Sequence, residues 1–268
     1  MGERAPDAAV SHTFRYLIDH EPVPGERVAL PAADAHHVSR VVRRTVGDGV
    51  EVIDPGGLIW TATLVAVGDP TVLEVADAPP RRSRQAPLTL YIGLCDWGRL
   101  DMAVEKCTEL GVARIVVFAG RRSQRIPGPG AWDRRRERFV RVARAAARQS
   151  GQGTVPEIDG VWSFAAVQTA LGDGHAIVLD PGGAIPLTRA LEQIPPGARL
   201  AVVIGPDAGL APDELAQARA AGAEVCHLGD TTLRAETAAI VAAGIVLAAT
   251  GHLGRARGAA ANNGASDA

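Results

Sequence analysis

Between residues 88 and 249 short apolar runs alternate with helix-forming stretches, and this alternation restricts the fold more than any other property of the chain. Residues 88–94, 115–118, 176–179, 200–204 and 225–228 are brief and apolar and read as strands. Residues 100–110, 132–149, 212–220 and 236–249 read as the helices between and after them. Such alternation favours an α/β architecture: a mostly parallel sheet with helices on both faces.

Two strand ends in this region turn on glycine. Ala201-Val202-Val203-Ile204 runs into Gly205-Pro206-Asp207-Ala208-Gly209-Leu210, and a second run ends as Leu228-Gly229-Asp230-Thr231-Thr232-Leu233-Arg234 before a small-residue helix that includes Thr237. In open α/β sheets ligands collect beyond the carboxyl ends of the strands. Glycine lets the backbone approach a ligand closely, and N–H groups at a helix start bind polar edges. The pair suggests one shared pocket, although either loop alone would also serve as an ordinary strand-to-helix connection. A dinucleotide fingerprint is excluded, because Gly205 and Gly209 lack the G-x-G-x-x-G spacing and stand late in the domain.

The chain has 268 residues, enough for two domains. Residues 12–78 differ in pattern from the α/β region. Glu51-Val52-Ile53, Trp60-Thr61-Ala62-Thr63-Leu64-Val65 and Val72-Leu73-Glu74-Val75 are short strand-like runs. Turn signals such as Gly47-Asp48-Gly49 and Gly68-Asp69-Pro70 separate them, as in a small barrel, and one helical stretch over 36–44 interrupts them. Residues 79–87, with paired prolines and charges, read as a linker to an α/β domain over 88–252. Residues 1–11 and 253–268 are small and polar and read as loose tails.

A formal net charge of −2 announces neither nucleic acid nor membrane. Locally the cations cluster, and apart from Lys106 all are arginine. Arg121-Arg122-Ser123-Gln124-Arg125 follows a strand, Arg134, Arg138 and Arg141 can share one helix face, and Arg40, Arg43 and Arg44 form a smaller group. Such faces attract a phosphate backbone; a plainly solvated arginine face is the other reading. Cys95, Cys107 and Cys226 have no metal-ligand or CxxC spacing, so no disulfide or metal site is expected and each reads as a small buried hydrophobe. His36 and His37 lack partners at metal spacing and suit a structural or surface role. No apolar signal core and no membrane-length run is present, which suggests the cytoplasm.

Four segments together resemble the bacterial 16S ribosomal RNA uridine-N3 methyltransferases, a branch of the SPOUT superfamily. They are His36-His37-Val38-Ser39-Arg40-Val41-Val42-Arg43; Glu105-Lys106-Cys107-Thr108-Glu109-Leu110-Gly111-Val112; Gln149-Ser150-Gly151 with Val155-Pro156-Glu157-Ile158; and the paired glycine loops. The resemblance implies a PUA-like RNA-binding barrel at the N-terminus. It implies a C-terminal sheet threaded into a trefoil knot, an exception to unknotted topology. It also implies S-adenosylmethionine as methyl donor, 16S ribosomal RNA or the small subunit as substrate, a homodimer and no metal. On this likeness Ile204, Gly205, Pro206, Gly209, Leu228, Gly229, Leu233 and Thr237 would line the donor pocket. Arg234 would be the catalytic cation, and Arg40, Arg43, Arg122, Ser123 and Gln149 would face RNA.

Five positions depart from the family pattern. Asp207-Ala208 stands where Glu-Gly is usual, which matters if residue 208 needs a positive φ. Asp230 replaces a proline, Ala235 a threonine, and Asp96 stands near a usual lysine or arginine, a reversal expected to weaken phosphate binding. A divergent paralogue methylating another RNA or a small molecule, and a catalytically impaired RNA-binding homologue, are the alternatives these departures raise.

Overall fold

The computed structural model describes residues 14–55, 58–78, 81–82, 86–123, 126–172, 174–195 and 197–253. The expected tails, Leu253 apart, lie outside these residues. The elements in chain order are β1 (Arg15–Leu17), β2 (Arg27–Ala29), α1 (Ala32–His36), β3 (Gly49–Ile53), β4 (Leu58–Ala66), β5 (Val72–Val75), β6 (Arg81–Arg82), β7 (Ala86–Gly93), α2 (Trp97–Leu110), β8 (Val112–Ala119), α3 (Pro129–Ser150), β9 (Glu157–Ser163), α4 (Phe164–Leu171), β10 (His175–Leu179), β11 (Ile185–Pro186), α5 (Leu187–Leu191), β12 (Leu200–Ile204), α6 (Pro212–Ala220), β13 (Glu224–His227) and α7 (Ala235–Ala249). They divide into two compact units. One takes the chain up to Arg84 with Ala147–Thr154, the other Gln85–Ala146 and the chain from Val155.

The first unit is built on a mixed sheet of order β1-β3-β4-β5-β2, with β6 also on β4; β1 and β3 run parallel and the other pairs antiparallel. Strand β4 shows why one face is core: Trp60, Ala62 and Leu64 are buried while Thr61 and Thr63 are exposed, the period-two pattern of a half-buried strand. Tyr16, Val38, Val52, Leu73 and Val75 complete the packing. Asp54, buried where β3 turns into β4, accepts from Leu58 N–H at 2.9 Å and from Trp60 Nε1 at 3.0 Å.

Two expectations need correction here. The helix expected over 36–44 begins at Ala32, continues as a π-helical turn over His37–Val41 and stops there. Ser39 Oγ donates to the Ala35 carbonyl at 2.9 Å, competing with the α-helical bond at the point where the helix widens. Arg43 then takes a left-handed backbone, φ 52°, which ends any helix. Within 79–87, expected to lack regular structure, Arg81–Arg82 pairs with β4 and Ala86 already begins β7. His37 lies edge-on to Phe14 and Tyr16, with ring centroids 5.9 and 6.3 Å away, a packing role. Arg148 holds the buried Asp34 at 3.2 Å, and desolvation nevertheless raises that carboxyl above its ordinary pKa.

The second unit is a seven-stranded sheet of order β11-β13-β10-β12-β7-β8-β9, parallel at every pairing. Alternate strand residues feed two cores. Leu90, Ile92, Ile115, Val117, Ile177, Val202 and Ile204 pack with α2, α3, α5 and α7, whereas Tyr91, Val116, Phe118, Val178 and Val203 pack with α4 and α6. The sheet is therefore covered on both faces, as parallel strands require. Sequence patterning locates β12 and α6 to the residue but does not reveal β9, α4, β11 or α5. Cys107 and Cys226 are buried and Cys95 half-buried, and burial raises their thiols to about 12, 11 and 12. No described helix is long and apolar enough to cross a membrane.

At the end of β7 the backbone leaves no room for a side chain: a Cβ on Gly93 would stand 2.2 Å from Pro206 N and 2.6 Å from Gly205 C. Gly93→Ala is expected to cost roughly 1–3 kcal/mol, the usual range for overpacking. Gly172→Ala, whose Cβ would meet its nearest neighbour at 3.7 Å, should leave stability nearly unchanged. Urea denaturation of the two variants checks the contrast.

Candidate functional site

Three loops leave the carboxyl ends of neighbouring strands in the second unit: after β10 from Leu179, after β12 from Ile204, and after β13 from Leu228. They enclose a cavity of about 750 Å³, within the size range of small-molecule sites. Leu179, Ile204, Leu210, Leu228, Leu233, Ala235 and Ala238 supply apolar wall, and Arg99, Arg122, Asp180, Asp207 and Arg234 supply charge. The first loop ends in Asp180-Pro181-Gly182-Gly183, a third glycine turn at a strand end. The criterion that singles out the other two loops would also find it.

Backbone packs on backbone around this cavity. A Cβ on Gly183 would meet Cys226 C at 2.3 Å, and one on Gly205 would meet Leu210 N at 2.9 Å. Gly209 at φ 71° and Gly229 at φ 125° use conformations that suit glycine. Their own N–H groups are spent internally: Gly209 donates to Pro206 O at 2.7 Å and Gly229 to His227 Nδ1 at 3.1 Å. The glycines therefore contribute shape and close approach rather than donors. The first turn of α7 also borders the cavity, and there Arg234 occupies the N-cap position without capping through its side chain. Early N–H groups of a helix lack intrahelical partners and carry the positive end of its dipole.

Arg99 ties the site together. Its Nη1 donates to Asp207 Oδ1 at 2.8 Å, and its Nε stands 4.0 Å from Glu236 Oε1. Glu236 is buried at 7 % exposure, and its Oε2 has no hydrogen-bond partner among the described residues. Burial, then the Asp207 and Glu236 charges, hold the neighbouring Cys95 thiol up at about 12, so it is no nucleophile. Glu214, 2 % exposed, accepts from Arg121 N–H and from Ala211 N–H, both at 2.8 Å. It is the acidic half of a capping box whose other half is missing, since Ala211 has no side-chain acceptor.

The residues expected from sequence separate into groups. Ile204, Gly205, Pro206, Gly209, Leu228, Gly229, Leu233 and Arg234 all line the cavity. Thr237 does not; it is exposed, and the α7 face that lines the cavity is Ala235 with Ala238, one helical spacing of three. Arg122, expected to face RNA, also lines the cavity and donates to the Ala208 carbonyl at 3.0 Å. Ser123 Oγ accepts from Gly120 N–H at 3.0 Å and so braces its own turn. Arg40, Arg43 and Gln149 belong to the first unit, where Arg40 is exposed. Arg99, Asp180, Asp207, Thr231 and Thr232 line the cavity although the sequence pattern does not single them out as pocket residues.

The departures acquire local explanations. Among the described non-glycine residues only Arg43 has a positive φ, so alanine at 208 is unstrained and Gly209 makes the turn. Asp96 is the N-cap of α2, its Oδ1 accepting from Gly98 N–H at 2.9 Å. Asp230 is exposed beside the cavity rather than lining it. No group of His, Cys, Asp and Glu among the described residues could hold a metal ion.

Residues 82–247 match the model of an RNA methyltransferase domain. The ribosomal RNA small subunit methyltransferase E of Bacillus subtilis (strain 168) is 27% identical over 222 residues, covering 80% of this chain and 87% of that protein. The protein of the same description from Mycobacterium tuberculosis (strain CDC 1551 / Oshkosh) is 29% identical over 239 residues, covering 86% and 90%. Among solved structures, a ribosomal RNA small subunit methyltransferase E from Neisseria gonorrhoeae, bound to S-adenosyl methionine, shares the fold at TM-score 0.73 and 23% identity, over 88% of this chain and 98% of that one.

Glu214→Ala removes the acceptor of two N–H groups at once and is expected to lower unfolding stability by roughly 2–6 kcal/mol, at about 1–3 for each orphaned donor. Asp213, next to it, pairs with Arg121 in an ion pair where both side chains are exposed. Asp213→Ala should cost less than about 1 kcal/mol. Thermal unfolding of both variants separates the buried brace from the solvated pair.

Proposed function

Because the chain belongs to the RNA methyltransferase domain family, we propose that it transfers a methyl group from S-adenosylmethionine to N3 of a uridine in 16S ribosomal RNA of the small subunit. One observation carries this reading: three strand-end loops inside the matched domain close on a single cavity with apolar walls, close-packed glycine backbone and an uncapped helix start. The family match and the relatives described as ribosomal RNA small subunit methyltransferase E support the substrate class. With that reading goes the domain assignment: a PUA-like barrel over 12–78, a linker over 79–87 and the SPOUT domain over 88–252. The proposed trefoil knot runs through the loops that follow β10, β12 and β13. Two copies of the chain form the working enzyme.

The cavity suits the donor. Leu179, Ile204, Leu210, Leu228 and Leu233 offer apolar surface to an aromatic base. The first turn of α7 offers N–H groups to a polar edge, and a Cβ on Gly205 would crowd the loop that forms one wall. Bound there, S-adenosylmethionine supplies a methyl group already activated on a sulfonium that leaves as a neutral thioether. The protein's tasks are alignment and charge. As the uracil imide loses its proton, negative charge spreads to two carbonyl oxygens. Arg234 is exposed at the cavity edge and, among the described residues, has no carboxylate partner, so its guanidinium is available to stabilise that charge. It cannot be the base, since arginine stays protonated. Arg99 holds Asp207 and approaches Glu236, fixing the 205–210 loop against the start of α7.

Deleting the gene should remove N3-methyluridine from 16S ribosomal RNA, and restoring the wild-type gene should return it; nucleoside mass spectrometry reads both. Unchanged N3-methyluridine in the deletion strain defeats the proposal. In purified enzyme, Arg234→Ala is expected to lower kcat by about 10²-fold, the scale on which removing a single transition-state charge stabiliser acts. Affinity for S-adenosylmethionine, measured by calorimetry, should stay nearly constant.

A further inference from the structure

We propose that a second groove of the α/β unit, between α3 and the start of α2, is a phosphate-binding track for the RNA strand; this rests on the reading of the substrate as RNA. The groove has a volume of about 480 Å³ and is lined chiefly by Trp97, Pro127, Arg134, Arg135, Arg138 and Arg141. None of these lines the cavity between the strand-end loops.

The four arginines are not a uniform solvated face. Arg135 lies over the Trp97 ring, 4.8 Å from its centroid, and Trp97 is itself backed by Phe139 at 6.4 Å. A guanidinium stacked on an aromatic ring keeps its in-plane donors available while its position is fixed. Arg138 Nε donates to both oxygens of Asp101, at 3.1 and 2.9 Å, which anchors a second guanidinium. Arg134 and Arg141 are exposed and have no carboxylate partner among the described residues.

Position on the helix separates these cations from the acids of the same element. At about 100° per residue, Arg141, Arg134, Arg138 and Arg135 cover one continuous arc of α3. Asp133 and Glu137 fall to one side of it, and the buried Trp132 and Phe139 lie beyond its far edge. Asp101 is the one acid tied to a groove arginine among the described residues, leaving the groove strongly positive. From Arg134 to Arg141 the helix rises roughly 10 Å, so the unpaired guanidiniums can meet more than one phosphate of a single strand. Arginine's planar fork matches phosphate oxygens bidentately. A linear polyanion with regularly repeated phosphates fits this layout better than an acidic peptide, whose carboxylates would be spaced by side-chain geometry.

The test uses the full-length protein with both exposed arginines replaced, Arg134→Ala with Arg141→Ala. Arg144→Ala, exposed on the same helix but outside the groove, is the control. Binding to 16S ribosomal RNA is measured against KCl concentration. The double variant should bind at least about tenfold more weakly, and its log–log salt slope should fall by roughly 0.7–0.9 for each phosphate no longer neutralised. In methyl transfer its KM for RNA should rise with kcat within about twofold, and its affinity for S-adenosylmethionine should not change. Replacing both arginines by lysine should restore most of the salt slope, which a merely structural role would not predict. A wild-type slope and KM in the double alanine variant overturn the proposal. So does equal displacement of RNA by polyglutamate of matched charge, which would mark the groove as a site for acidic peptide. If wild-type protein binds 16S RNA but methylates nothing, the catalytic reading fails while the binding comparison still decides the groove.

Discussion

The contact of Gly93 with the peptide joining Gly205 to Pro206 is the constraint on which the site depends. Two adjacent parallel strands, β7 and β12, end together, and the chain leaving β12 crosses the end of β7 with no space for a methyl group between them. The same economy recurs where Gly183 meets Cys226 and where Gly205 meets Leu210. Loops held by backbone packing have few ways to move without disrupting several neighbours at once. A cavity bounded by such loops arrives largely preformed, which favours a ligand that must be aligned rather than enveloped.

Polar side chains then lock what the backbone sets. Glu214 ties the 205–212 connection to the turn at Arg121, Arg122 reaches the Ala208 carbonyl, and Arg99 joins Asp207. Each fixes a loop by gripping a main-chain group or a neighbouring acid and so costs the cavity little of its apolar wall. The two resources of the unit are thereby divided. The strand ends build a cavity with both apolar wall and charged residues, whereas the outer face of α3 carries the positive groove.

Much of this is legible in the sequence because parallel strands buried on both faces need continuous apolar runs, and β7, β8, β10 and β12 carry them. Strand β9 is hidden because Asp159, Gly160 and Ser163 interrupt its pattern, and at the edge of the sheet it is only partly buried. The two-residue β11 and the five-residue α5 are too short to show a period. Within the site, the glycine turns stand on loops that line the cavity, whereas Thr237 enters the expected pocket by motif alone. Helical geometry instead turns Ala235 and Ala238 to the cavity. Arg99 meets Asp207 and Arg122 meets Ala208 across long sequence separations, a proximity that no local pattern records. Ala208 looks costly as a missing glycine, yet the positive φ belongs to Gly209, so the substitution leaves the turn intact.

The most direct test is a crystal structure of the wild-type protein with S-adenosylhomocysteine, the product left after methyl transfer. Ligand density is predicted in the cavity bounded by the 205–210 loop, the 228–235 loop and the first turn of α7, with Arg234 at its open edge. Density at another place, or an empty cavity at a ligand concentration that saturates binding in solution, would contradict the assignment of this cavity to the methyl donor.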